Sequence, residues 1–249
     1  MNDLLLDLIR TEIEQVLIQI AMVAITAPTL LSGSRPEIEF FQRSDTLRAA
    51  RDILGKLLVV PDAQGTRVSG MIVEVEAYLG VEDKAAHSFG GRRTARNDVT
   101  YGPGGHVYVF FIYGMYYQLN FVLGPVDHPH VLLIRAVEPV EGVEIMKVRR
   151  GEMKDKNLTS GPGKLCIAFG IDRSLNGADL MGEQIWIENY RGFSEAEIAV
   201  GPRIGIEYAE EFAEEPWRFW VKDNEFVSKT PKRKRRPTVQ SDGAEEAEP

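Results

Sequence analysis

Glu74 and Glu76 stand two residues apart in the stretch VEVEAYLGVEDKAAHS, and Tyr78 follows at the same interval. On a β-strand that spacing puts all three on one face, with Met71, Val73, Val75 and Ala77 on the other. Carboxylates at i and i+2 lie about 7 Å apart and can hold a water, a metal or a basic partner. The plainer reading is the wet face of an antiparallel sheet. His87 and an arginine cluster, Arg92, Arg93 and Arg96, follow within one loop. A metal centre needs three convergent ligands; the chain has one cysteine, no HExxH spacing, and four histidines confined to positions 87 to 130, so neither metal nor cofactor is expected. A second concentration of chemistry is aromatic: Tyr108, Phe110, Phe111, Tyr113, Tyr116 and Tyr117. Core packing accounts for much of that run. Tyr113-Gly114-Met115, however, falls where a turn is expected, and aromatics beside arginines suit stacking on bases next to a phosphate backbone.

The elements that must position these residues are legible in outline. SDTLRAARDILGKLLVV reads as a helix capped by Ser44 or Asp45 and stopped at Gly55, running into a strand. The strand carrying Glu74 and Glu76 follows. HVYVFFIYGMYYQLNFVLG predicts two strands hinged at Gly114, and HVLLIRAVEPVEG a third strand stopped by Pro139. EGVEIMKVRRG and GPGKLCIAFGI read as helices; IWIENY, AVGPRIGIEYA and RFWVK supply shorter strands or turns. The predicted class is α+β, one domain with a mixed, largely antiparallel curved sheet surrounded by helices.

The 249 residues divide into an N-terminal extension over 1–35, read as a helical appendage, a domain over 36–228, and a charged, disordered tail over 229–249. The apolar N-terminal run starts at acidic Asp3 and Asp7 and is interrupted by Gln19 and Pro28, which argues against a secretory signal or membrane span. The lone Cys166 excludes an intrachain disulfide framework and suits a buried thiol in a reducing, cytoplasmic setting. A net charge of −8 argues against a uniformly basic nucleic-acid binder. Local charge points the other way: between 89 and 135, Arg92, Arg93, Arg96 and Arg135 outweigh Asp98 and Asp127, and Lys229, Lys232, Arg233, Lys234, Arg235 and Arg236 crowd together near the end.

EVEAYLGVEDKAAHSFGGRRTARN, GGHVYVFFIYGMYYQLNFV, VLLIRAVEPVEG and GPGKLCIAFGI, in that order and spacing, closely resemble the alkyladenine (methylpurine) DNA glycosylase family, from about Glu39 to Ser228. The resemblance implies a monomeric, metal-free enzyme of base excision repair acting on double-stranded DNA that contains damaged purines. Such an enzyme flips out an alkylated or deaminated purine and hydrolyses its N-glycosidic bond. It implies Glu76 as activator of the attacking water, Glu74 as its support and Arg135 as the residue that positions the water. Tyr78 and His87 correspond to residues lining the base pocket, and Asn120 to an asparagine that clashes with the exocyclic amine of guanine. Tyr113 corresponds to the tyrosine that fills the vacated stack, with Met115 beside it. Phe110 stands where the family often has a second pocket tyrosine, so stacking survives, a hydroxyl is lost, and the reach to neutral lesions such as hypoxanthine is left open. The rival readings are a non-catalytic DNA-binding module on the same scaffold, and an enzyme acting on another nucleic acid or nucleotide.

Overall fold

The computed structural model describes residues 33–152 and 154–229. The helical appendage expected over 1–35 and the tail expected from 229 therefore lie outside the described residues, save for their innermost positions. Ser34 and Arg35 are joined to the body: the Ser34 carbonyl accepts the Asn189 N–H at 2.8 Å, and Arg35 donates to the Gly182 carbonyl at 2.8 Å.

Two short helices, α1 (Glu39–Gln42) and α2 (Thr46–Asp52), lead into the sheet. Asp45 is the residue that caps α2, accepting the Arg48 N–H. The strands are β1 (Leu57–Pro61), β2 (Arg67–Leu79), β3 (Val107–Ile112), β4 (Tyr116–Leu123) and β5 (His130–Glu141), then β6 (Trp186–Glu188), β7 (Ile198–Gly201) and β8 (Arg218–Val221). Helices α3 (Val143–Arg150) and α4 (Pro162–Phe169) come between β5 and β6. Every strand pairing is antiparallel, in the order β3-β4-β5-β2-β1-β6, so the parallel component expected of a mixed sheet does not occur among the described strands.

β2 is the hub. One edge pairs with β5 along nearly its whole length; the other is shared between β1, opposite residues 67–71, and β8, opposite 74–76. The β2–β5 register slips three times, leaving Val140 and Arg135 on β5 and Val73 on β2 without a residue opposite. Bulges of this kind bend a strand and re-aim a side chain. β5 also continues past Pro139 to Glu141, contrary to the expected stop. β4 leaves its other edge after Leu133, and Pro139 sits beside a register slip, so the missing N–H breaks no ladder.

The two faces of the β3-β4-β5-β2 sheet do different work. Val109, Leu119, Phe121, Leu132, Ile134, Val75 and Ala77 form the main core with Leu165, Cys166 and Phe169 of α4. The thiol of Cys166 is buried and pushed up to about 12 by burial. Tyr108, Phe110, Gln118, Asn120, Val131, Leu133 and Tyr78 occupy the opposite face, paired across strands as Phe110–Gln118, Tyr108–Asn120, Asn120–Leu133 and Tyr78–Val131.

β3 and β4 are joined by three residues, Tyr113, Gly114 and Met115; the Met115 N–H donates to the Ile112 carbonyl, closing a turn in which Tyr113 and Gly114 both take positive φ, 54° and 68°. Asn-Gly suits such a turn; a tyrosine there carries backbone strain. Tyr113 gains little packing in return, being 75% exposed. Tyr113→Asn is therefore expected to raise the unfolding free energy by about 0.5–1 kcal/mol, the range for relieving a strained backbone position, measured by urea denaturation.

Candidate active site

Glu74 and Glu76 are both fully buried, which overturns the wet-face reading of this strand. β8 and the Pro202–Ile206 segment cover that side of β2 and bring cations with them. Glu74 receives four donors: Arg135 Nε at 3.1 Å, Arg218 Nη1 at 3.0 Å and Ser228 Oγ at 2.9 Å on Oε1, and the Ser228 N–H at 2.7 Å on Oε2. Glu76 accepts two, the Ile204 N–H at 2.7 Å on Oε1 and the Tyr78 hydroxyl at 2.9 Å on Oε2, and is ion-paired with Arg135, whose Nη1 lies 3.2 Å from Oε1. Each carboxylate oxygen offers about two acceptor sites. Glu74 thus has four hydrogen bonds, three of them crowded on Oε1, while Glu76 has one on each oxygen beside its ion pair. Arg135 bridges the two carboxylates; although burial works the other way, Glu76 and Glu74 hold its guanidinium above its ordinary value. Burial and then Glu76 push the Tyr78 phenol well above its usual range, so it stays a donor.

A cavity of about 290 Å³ opens beside this cluster, and every group bonded to Glu76 (Tyr78, Arg135 and Ile204) is in its wall. His87, Tyr108 and Phe110 form an aromatic corner there, with His87 and Phe110 ring centroids 4.6 Å apart at 70° and Tyr108 and Phe110 5.2 Å apart. Asn120 reaches the same cavity, its amide nitrogen held by the Tyr108 carbonyl at 3.1 Å. Tyr113 also lines it, whereas Met115 stands two residues further along the hairpin, exposed. The predicted pocket residues Tyr78, His87, Phe110, Asn120 and Arg135 are thereby brought together.

His87 is open on one side but packed among apolar groups on the other, and its Nδ1 lies 2.8 Å from the Tyr108 hydroxyl. Burial, then Arg96 and Arg92, push its pKa down to about 4. Burial pushes Tyr108 up to about 12.

The three loop arginines separate. Arg93 is paired with Asp98 at 2.7 Å and Asp127 at 3.3 Å and lies over the Tyr101 ring. Arg96 lies over the Phe110 ring, 5.1 Å from its centroid, and donates to the Phe111 carbonyl, buttressing the aromatic corner. Arg92 is exposed and makes no salt bridge among the described residues; it borders a second hollow with Lys84, Thr94 and Arg96. His128 and His130 stand elsewhere, His130 bonded to Thr46. Among the described residues no three His, Cys, Asp or Glu side chains converge.

Sequence reasoning missed Asp83, Arg203, Ile204, Arg218 and Ser228. Buried Arg203 is gripped by Asp83 through both Nη nitrogens, donates to the Ala77 carbonyl at 3.0 Å, and lies 4.6 Å from the Tyr78 ring centroid and 4.8 Å from that of Trp217. Asp83 in turn accepts the N–H groups of Leu79 and Ala85, tying the end of β2 to the pocket wall. An arginine inside the otherwise apolar strand RFWV was a legible signal for Arg218; a backbone donor such as Ile204 N–H leaves none.

The family model for methylpurine-DNA glycosylase matches residues 39–225. The chain belongs to the methylpurine-DNA glycosylase family. It is a DNA N-glycosylase by that membership. It is 48% identical over 198 residues to a protein of Clostridium acetobutylicum, covering 76% of this chain and 95% of the relative. It is 49% identical over 199 residues to one of Bacillus cereus (strain G9842), covering 76% and 97%, and 48% identical over 199 residues to one of Clostridium novyi (strain NT), covering 77% and 96%. Each relative carries the provisional name 3-methyladenine DNA glycosylase. No helix among the glycosylase's described residues is long and apolar enough to cross a membrane.

The depressed His87 pKa is directly testable. In an NMR pH titration its ring signals are expected to move with a midpoint near 4 instead of the ordinary 6.5. As pH falls through 6.5 the unfolded chain takes this proton first, so the His87 contribution to stability is lost between 6.5 and about 4 and is flat above.

Proposed function

We propose that this glycosylase extrudes an alkylated purine nucleotide from duplex DNA into the 290 Å³ cavity and hydrolyses its N-glycosidic bond with a water activated by Glu76. The observation that carries the reading is the unequal surroundings of two buried carboxylates: Glu74 accepts four hydrogen bonds, whereas Glu76 accepts two beside its ion pair with Arg135, and all three partners of Glu76 line the cavity. The acceptor site left on Glu76 suits a water whose oxygen attacks the anomeric carbon while its proton passes to the carboxylate. The bond's electron pair leaves with the base. Glu76 also stands as a fixed negative charge beside the oxocarbenium-like character that develops on the sugar. Arg135, paired with both carboxylates, is the residue that holds Glu76 oriented.

Alkylation at a ring nitrogen makes the purine a cation and weakens the bond in advance. His87 is neutral at physiological pH, Tyr108 is a weak acid and Phe110 has no hydroxyl, so these walls offer a neutral base stacking without a ready proton. Cationic alkylpurines are accordingly the main substrates and deaminated purines slow ones. Asn120 holds its place at the cavity wall as the residue against which the exocyclic amine of guanine is rejected. Tyr113, exposed and strained at the hairpin tip, is the wedge that occupies the gap left in the stack, with Met115 beside it. The protein acts as a monomer on double-stranded DNA, in the compartment that holds it; residues 36–228 make the glycosylase domain. Phosphate contact falls mainly to Arg92, because Arg93 is neutralised and Arg96 is committed to Phe110.

Glu76→Gln is expected to lower single-turnover cleavage by at least ~100-fold, as for loss of a positioned base, with lesion-DNA affinity retained. Glu74→Gln acts differently: it puts an amide among four donors and lowers stability, while cleavage per folded molecule is far less affected. Equal, mild effects in both variants would refute the assignment; spontaneous loss of the cationic base must be subtracted.

Arg92→Ala is expected to reduce the slope of log affinity against log salt by about 0.9, one phosphate contact, and Arg93→Ala by much less. Filter binding or anisotropy at several salt concentrations measures both.

A further inference from the structure

Arg203 is the cation that the proposed chemistry does not use. It is fully buried together with Asp83 and absent from the cavity wall, yet its guanidinium lies 4.6 Å from the ring centroid of Tyr78, which is part of that wall. Arg203 does not border the cavity itself, so it meets a bound base through Tyr78, which does. A cation drawn to one face of an aromatic ring consumes the same negative quadrupole that a second cation would need on the other face. The two cations also repel across the ring, in surroundings where charge is poorly screened. Asp83 offsets part of this field, but Arg203 is the member of the pair in contact with Tyr78. Trp217 stacks on the same guanidinium at 4.8 Å and fixes its plane.

We infer that Arg203 is a positioning residue that acts through Tyr78 to set specificity, weakening the pocket's stacking preference for cationic over neutral purines. This rests on the reading of the cavity as a base pocket. Its consequence is that selection of alkylated bases lies in bond breaking more than in binding. A cationic lesion gains less from being stacked in the ground state, so less of the reactivity conferred by its charge is forfeited on entry. Neutral purines enter on nearly equal terms and are held back only by the chemistry.

The test uses the full chain and a matched pair of small purines, 9-methyladenine and its cation 7,9-dimethyladeninium, titrated at one pH by NMR. The quantity read is the ratio of their affinities in each variant, which cancels the extra methyl group. Replacing the ion pair by neutral, hydrogen-bonding side chains, D83N/R203Q, is expected to raise the cation-to-neutral ratio about three- to tenfold, the size of a cation–π term. Arg203→Lys keeps the charge and is expected to leave the ratio within about twofold, even where its looser grip lowers both affinities and the cleavage rate. A purely structural role predicts that both affinities fall together in both variants with the ratio fixed, and that result overturns the inference. Should the double variant not fold, the wild-type ratio decides: binding of the two purines within about threefold of each other supports the inference, and a larger preference for the cation overturns it. Failure of the wild-type protein to bind either purine would sink the base-pocket reading itself, a different outcome from an unmoved ratio.

Discussion

Everything at the site depends on accommodating two fully buried carboxylates. Burying an unpaired carboxylate is prohibitive, and losing one partner of a buried pair costs several kcal/mol. Glu74 and Glu76 are tolerated because Arg135 bridges them and because Arg218, Ser228 and the Ile204 and Ser228 N–H groups supply the remaining donors. That requirement explains the local architecture. The paired slips at Val73 and Arg135 bring the arginine to both carboxylates, and the unusual sharing of one β2 edge between β1 and β8 brings Arg218 to Glu74.

The two carboxylates differ in their surroundings: Glu74 accepts four hydrogen bonds, while the partners of Glu76 are all groups of the cavity wall. The aromatic corner obeys similar logic. Burial keeps His87 and Tyr108 uncharged, Phe110 has nothing to ionise and carries Arg96 on its ring, so the pocket wall presents flat polarisable surfaces beside the Glu76–Arg135 pair.

Much of this was legible in the sequence, and the failures have physical causes. The capped helix α2, the hairpin hinged at Gly114 and the helices beginning near Gly142 and Pro162 follow from local rules of capping, turn chemistry and periodicity. The grouping of Tyr78, His87, Phe110, Asn120 and Arg135 came from the family resemblance, since no local rule joins strands so far apart in sequence. The strand pattern of Glu74 and Glu76 was read correctly for face and wrongly for environment: alternation reports which residues share a side, while burial depends on what covers that side, here segments some 130 to 150 residues later. Pro139 misled because a proline stops a strand only where a neighbour needs its N–H. Arg92, Arg93 and Arg96 looked equivalent as a charge cluster; Asp98 and Asp127 separate them, one of which arrives from a distant loop.

The spread of those partners along the chain has a consequence for synthesis. The glutamates are translated in the first third of the protein, Arg135 near the middle, and Arg203, Ile204, Arg218 and Ser228 near the end. A nascent chain that has emerged only as far as β5 holds the two acids and one arginine, without the donors that fill Glu74 or the loop that closes over Glu76. The buried cluster is thus completed late, when the segment ending at Ser228 clears the ribosome, and an unfinished chain holds its two acids without the later partners that make their burial tolerable.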